Sequence, residues 1–191
     1  MSATLEQIDE QSLVRLVKKK DVSAQNLLWE SSAGYLGAVC GRYVSDDQAV
    51  QDILQEAYIK IFTKIGSFTY RGKGSLKAWM TRIVVNDSLK YLRRSRPVSL
   101  DKILPVMSDI PEEDEDPGLE GVPAEVIFKM IRSLPEGYRT VFNLYAIEQR
   151  SHKEIAAILG IKENSSASQY FRAKAMLSKM IRDYKNRQDN E

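Results

Sequence analysis

Apolar residues recur at three- and four-residue steps through most of the chain and never alternate with a period of two, so the pattern predicts helices and no sheet. The clearest helix is predicted from Ser45 to about Ile65, where Val50, Ile53, Leu54, Ala57, Tyr58, Ile61, Phe62 and Ile65 make an uninterrupted apolar face. Ser45 and Gln48 are its expected cap. Burying such a face is worth about 1.5–3 kcal/mol per large side chain, so the helix must sit inside a bundle. A second helix is predicted from Ser75 to about Arg94. Its buried side is Leu76, Trp79, Met80, Ile83, Val84 and Tyr91, and Arg82, Asn86, Leu89, Lys90 and Arg93 lie along an adjacent strip. Two weaker patterns precede these, at about Thr4 to Lys20 and at Ser23 to Tyr43. The latter carries Leu27, Leu28, Tyr35, Leu36 and Val39, but Gly34, Gly37 and Gly41 lower its intrinsic helicity, so packing has to hold it.

Near the C-terminus, SHKEIAAILGIKENSSASQYFRAKAMLSKMI reads as a capped short helix, a glycine turn and a longer helix. Ser151 and Glu154 have the spacing of a capping box. Ile155, Ala156, Ile158 and Leu159 supply an apolar stripe, and Gly160 stands where a helix ends in a left-handed residue. On the longer helix, Tyr170, Ala173, Leu177, Met180 and Ile181 form the expected buried stripe. Ser168, Phe171, Arg172 and Ala175, with Ser165 and Gln169 nearby, lie on another side, and Lys174 and Lys179 could reach phosphates. This is the pattern of a DNA-binding helix-turn-helix, although an ordinary helical hairpin with a solvated face has the same spacing.

Composition narrows the function classes. The chain has 191 residues, 43% hydrophobic and 28% charged, an ordinary globular balance suited to one or two small domains. With one cysteine (Cys40) and one histidine (His152), it holds neither an internal disulfide nor a thiolate or imidazole metal cluster. Cys40 reads as a small core residue. No phosphate-cradling glycine loop or nucleophile elbow occurs, so no catalytic residue, metal or cofactor is expected. The start MSATLEQIDEQSL has none of the features of a signal peptide, and no run approaches the roughly 20 apolar residues of a bilayer span. A cytoplasmic location without membrane insertion is the expectation.

The net charge of +2 conceals segregation. Arg71, Lys73, Lys77, Arg82, Lys90, Arg93, Arg94 and Arg96 are opposed only by Asp87, whereas Asp109, Glu112, Glu113, Asp114, Glu115, Asp116 and Glu120 follow without a cation. The stretch from about Arg96 to Pro123 also holds five prolines, which excludes a regular element and predicts an extended acidic linker between two helical domains. Ahead of the second helix, the loop GSFTYRGKG sets Phe68 and Tyr70 beside Arg71 and Lys73. That mixture suits stacking on unpaired bases, and equally suits a loop pinned to the core by Phe68. The polar side of the first helix, Asp52, Gln55, Glu56 and Lys60, reads from its pattern as a solvated surface.

Taken together, DILQEAYIKIFTKI, GSLKAWMTRIVVNDSLKYLRR and SLPEGYRTVFNLYAIEQRSHKEIAAILGI with SASQYFRAKAML resemble a bacterial RNA polymerase sigma factor of the sigma-70 family, extracytoplasmic-function type. The resemblance covers nearly the whole chain. It implies an all-α fold of two small domains: a region 2 bundle at 1–96, a flexible acidic linker at 97–122, and a region 4 helix-turn-helix at 123–187, whose preceding helix would run from Leu134 to Tyr145 with Pro135 in its first turn. It implies non-enzymatic promoter recognition. The partners would be core RNA polymerase, through the beta-prime clamp helices and the beta subunit, promoter DNA, and an anti-sigma factor, which no motif here marks.

By the same resemblance, Asp52, Gln55, Glu56 and Lys60 would bind core polymerase, reversing the bland reading of that face. Phe68, Tyr70, Arg71, Lys73, Arg82, Asn86, Lys90 and Arg93 would contact and melt the −10 element. Lys153, Ser165, Ala167, Ser168, Gln169, Phe171, Arg172 and Lys174 would contact the −35 element. The chain departs from the usual family pattern at Ala167 and Gln169, where basic residues are common, and at Asn164–Ser165, which replaces a Gly-Thr pair. Fewer cations imply weaker isolated DNA affinity with a shallower salt dependence. Two rival readings are a ligand-sensing or dimerising helix-turn-helix regulator and a helical adaptor without a DNA role.

Overall fold

A computed structural model describes residues 8–95 and 118–188, which fall into two compact all-helical units. The first begins with α1 (Glu10–Lys18), α2 (Val22–Gly41) and α3 (Asp47–Lys64), continues through a 3-10 turn at Ile65–Ser67, and ends in α4 (Ser75–Ser95). Three aspartates cap its first three helices. Asp9 accepts from the Ser12 amide, Asp21 from the Ala24 amide, and Asp46 from the amides of Gln48 and Ala49. A carboxylate at this position satisfies donors the helix cannot pair internally. The cap of α3 is therefore Asp46 and not the expected Ser45. The α1 cap at Asp9 also shortens the first predicted helix, whose opening residues 4–7 lie outside the described residues.

Helix α2 packs against α1, α3 and α4. Contact on three sides explains why its apolar residues spread around the circumference: Leu28, Leu36, Val39 and Cys40 are all fully or almost fully buried. Gly37 lies on the side of α2 that meets α3. A methyl group at its Cα would meet Leu54 of α3 at 3.6 Å, an ordinary van der Waals contact, so the position faces α3 but alanine would fit there as well. From α3 come Ile53, Ala57 and Ile61, and from α4 come Leu76, Met80, Val84 and Leu89. Leu89 is a correction. It was expected on the polar strip, but it is 3% exposed because it continues the buried row of Thr81 and Val85 at steps of four, which widens the buried side of α4 beyond the predicted stripe.

The second unit consists of α5 (Ala124–Ser133), α6 (Glu136–Phe142), a π-helical stretch at Asn143–Ile147, α7 (His152–Leu159) and α8 (Glu163–Gln188). Ile131, Leu134, Ala173 and Leu177 form its core cluster, packed by Ile127, Met130, Tyr138 and Phe142. Sequence reasoning missed α5, although Ile127, Met130, Ile131 and Leu134 have helical spacing. The predicted helix from Leu134 begins two residues later, at Glu136, because Leu134 and Pro135 are extended. Its C-terminal part loosens into the π stretch. Arg139 of α6 is buried and donates Nη1 to the carbonyls of Arg132 and Leu134 at 2.7 and 3.1 Å, closing the C-terminal end of α5. Burial pulls its guanidinium pKa down, with nearby Glu136 opposing.

Of the linker expected at 97–122, residues 97–117 lie outside the described residues, together with most of the acidic run.

Candidate functional site

The helix-turn-helix follows from local chemistry. Ser151 accepts from the Glu154 amide while Glu154 Oε2 accepts from the Ser151 amide at 2.9 Å, a reciprocal capping box. Hydrogen bonds from Ser151, joined by Arg150 at 3.2 Å, hold the Glu154 carboxyl below its usual range. Helix α7 ends at Gly160, whose φ of 70° is left-handed, and the amides of Gly160 and Ile161 both return to the Ala156 carbonyl. Behind the turn, His152 stacks on Tyr145 with ring centres 4.3 Å apart and bonds through Nδ1 to the buried Ser166 hydroxyl at 3.0 Å. Tyr170 packs against both Tyr145 and His152. The sole histidine thus serves the packing of α7 on α8.

On α8, Ala167, Ser168, Phe171 and Lys174 are exposed, as is Lys153 on α7. Phe171 is 59% exposed, an unusual setting for a large aromatic ring. The remaining expected residues are less free. Ser165 is half-buried, the Gln169 carboxamide oxygen is buried within the unit, and Arg172 donates Nη1 to the Tyr138 hydroxyl at 3.2 Å. Tyr138 on α6 was not anticipated as a partner of this face, since nothing in local spacing connects positions 138 and 172.

In the first unit, Arg82, Asn86, Lys90 and Arg93 lie on α4 at steps of four, four and three residues, and all four are exposed. The loop that enters α4 exposes Arg71 and Lys73 and leaves Tyr70 half-exposed. Phe68 is a correction to the expected stacking surface. It is 7% exposed and packs on Trp79 with ring centres 5.1 Å apart, so it pins the loop to the core. Between α1 and this loop runs a groove of about 610 Å³, lined by Arg15, Lys18 and Lys19 on one side and Thr69 and Tyr70 on the other. The α1 cations were missed because a charged run on a short helix reads as ordinary solvated surface.

A third surface is the outer side of α3. Asp52, Gln55 and Glu56 are exposed there, and Ile59, which the apolar stripe does not include, is 60% exposed beside them. Lys60 is turned away, with its Nζ 2.5 Å from Asp87 of α4.

Among the described residues, no helix is long and apolar enough to cross a membrane, and no group of three or more histidine, cysteine, aspartate or glutamate residues could hold a metal ion. Cys40 is buried beside Ser88, and burial pushes its thiol pKa up, as for an unreactive core residue.

Comparison with known proteins places these surfaces in context. The family model for Sigma-70 region 2 matches residues 28–98, and that for Sigma-70, region 4 matches residues 124–177. The chain is similar to the ECF RNA polymerase sigma-E factor of Haemophilus influenzae, 31% identical over 186 residues, covering 92% of this chain and 97% of that one. It is equally similar, at 31% over 191 residues, to the protein of the same name from Escherichia coli K12, with 92% and 96% covered. Among solved structures it is similar to CnrH in complex with the cytosolic domain of CnrY, at 21% identity and a TM-score of 0.47, covering 90% of this chain and 96% of that one.

Proposed function

The chain belongs to the sigma-70 family as a sigma factor of the extracytoplasmic-function type, a non-enzymatic factor that supports promoter-specific initiation by RNA polymerase, and from this premise we propose how its surfaces divide that work. The domain at 1–96 binds core polymerase through Asp52, Gln55 and Glu56 of α3, with Ile59 adding apolar contact, against the clamp helices of the beta-prime subunit. Its loop and α4 hold the −10 element. The domain at 123–187 sets α8 in the major groove of the −35 element, and 97–122 links the two.

The observation that carries this reading is the exposed α4 stripe of Arg82, Asn86, Lys90 and Arg93 on the helix entered by Tyr70, Arg71 and Lys73. Extruding a base from the duplex costs a few kcal/mol. Stacking on Tyr70, at about 1–3 kcal/mol per base, offsets much of that, while Asn86 offers hydrogen bonds and the cations follow the phosphates. With Phe68 in the core, Tyr70 carries the stacking role alone. At the −35 end, Ala167 and Phe171 suit thymine methyl groups, Ser168 suits base edges, and Lys153 and Lys174 suit phosphates.

The deciding experiment mixes the purified chain with core polymerase and genomic promoter fragments. Initiation from shared upstream hexamers should require both components. Promoter-specific DNA binding by the chain without polymerase, with no gain in initiation, would favour a conventional regulator instead.

A further inference from the structure

We propose that Glu10 and Lys18 of α1 are positioning residues for DNA opening, holding the two ends of the strand-capturing loop in place; the inference rests on the loop's proposed role. The loop between Phe68 and the start of α4 contains Gly72 and Gly74 with φ of 112° and 87°, so its backbone is intrinsically free to move. Gly74 also occupies the cap position of α4, since its carbonyl accepts from the Ala78 amide at 3.0 Å. A glycine cap has no side chain to accept from the first helical amides; the Ser75 amide turns back to the Gly72 carbonyl at 3.1 Å, and the Leu76 amide needs an acceptor from outside the helix.

Glu10 supplies it from 64 residues away in the chain. Its Oε2 accepts from the Gly74 amide at 2.6 Å and its Oε1 from the Leu76 amide at 2.8 Å. Both carboxylate oxygens are thus spent on the start of α4, where the helix dipole also favours negative charge. Two turns along α1, Lys18 donates Nζ to the Phe68 carbonyl at 2.6 Å. One short helix therefore fixes the loop where it leaves the core and where it becomes helix, and the segment between, which carries Tyr70, Arg71 and Lys73, is tied back to the start of α4 by the Arg71 amide on the Ser75 hydroxyl at 3.2 Å. A loop held in this way captures an unpaired base without first losing its own conformational freedom. Holding the loop also holds the first turn of the helix that bears Asn86.

The test uses the full chain. Glu10→Ala is expected to speed amide hydrogen exchange at Gly74 and Leu76 by about tenfold and to lower duplex promoter opening by the reconstituted holoenzyme by about tenfold, with affinity for core polymerase unchanged. Glu10→Gln retains one good acceptor and should fall between wild type and Glu10→Ala in both readouts, which also covers the case in which the alanine variant folds poorly. Lys18→Met should impair opening without altering exchange at Leu76. Unchanged exchange at Gly74 and Leu76, or faster exchange with undiminished opening, overturns the proposal. Tyr70→Ala separates the two levels: if it lowers opening while the Glu10 variants do not, only the positioning role fails, and if it leaves opening unchanged, the strand-capturing role of the loop fails and the proposal falls with it.

Discussion

Lys60 of α3 and Asp87 of α4 form an ion pair at 2.5 Å with the lysine side chain 32% and the aspartate 12% exposed, which ties the helix of the proposed polymerase face to the helix of the proposed DNA face. Glu56 lies 3.9 Å from the same ammonium and is largely in water. The aspartate is the more enclosed partner, so removing the lysine leaves a carboxylate with little solvent to replace it.

Lys60→Met is accordingly expected to destabilise the first unit by about 1–3 kcal/mol, below the range for fully buried pairs because water screens the exposed part of the lysine. The double variant Lys60→Met with Asp87→Leu should recover part of that loss. Urea denaturation of the four proteins of the cycle measures the coupling. Strictly additive losses would mean that the pair does not hold the helices together.

Phe68 and Tyr70, two residues apart, should part company under mutation. Phe68→Ala opens a cavity against Trp79 and should cost about 3–5 kcal/mol of stability. Tyr70→Ala should leave the melting temperature within about 2 °C while reducing holoenzyme capture of a single-stranded −10 oligonucleotide. Equal stability losses for both would contradict the burial that separates them.

The capping box makes α7 sensitive to acid. Its hydrogen bonds depress the Glu154 pKa below the ordinary 4.5, so the folded state binds that proton less readily than the unfolded chain. The stabilisation is present above the ordinary value and is lost as pH falls from there through the folded-state value. Thermal melting between about pH 6 and pH 3 should show Glu154→Gln losing less stability than wild type on acidification. Parallel curves would remove the carboxylate from the cap's energetics.

On α8, Arg172→Ala should reduce −35-dependent promoter occupancy, and Tyr138→Phe should do so more weakly by releasing the guanidinium from its 3.2 Å contact. Lys153→Gln and Lys174→Gln should each lower the salt slope of holoenzyme binding by about 1 without changing base preference. A filter-binding series across salt concentrations reads both effects. Preference that shifts with either lysine would assign it to a base edge instead.

The sequence by itself determined what depends on near neighbours along a helix. The capping box at Ser151, the left-handed stop at Gly160 and the exposed row Arg82, Asn86, Lys90 and Arg93 were legible because each is fixed by residues within a few positions of one another. Helix α5 was legible in principle from Ile127, Met130 and Ile131 at helical spacing, but it starts after Pro123 with no side-chain cap to announce it. The tertiary structure alone decided contacts between residues distant in the chain. Phe68 sits in the core because Trp79 is there to meet it, Leu89 leaves the polar strip because α2 and α3 both pack on α4, and Glu10 reaches the Gly74 cap of α4 across 64 residues. Helical periodicity repeats a side chain's direction every turn and so marks faces; which element comes to cover a face depends on how the whole bundle closes, and no local spacing encodes that.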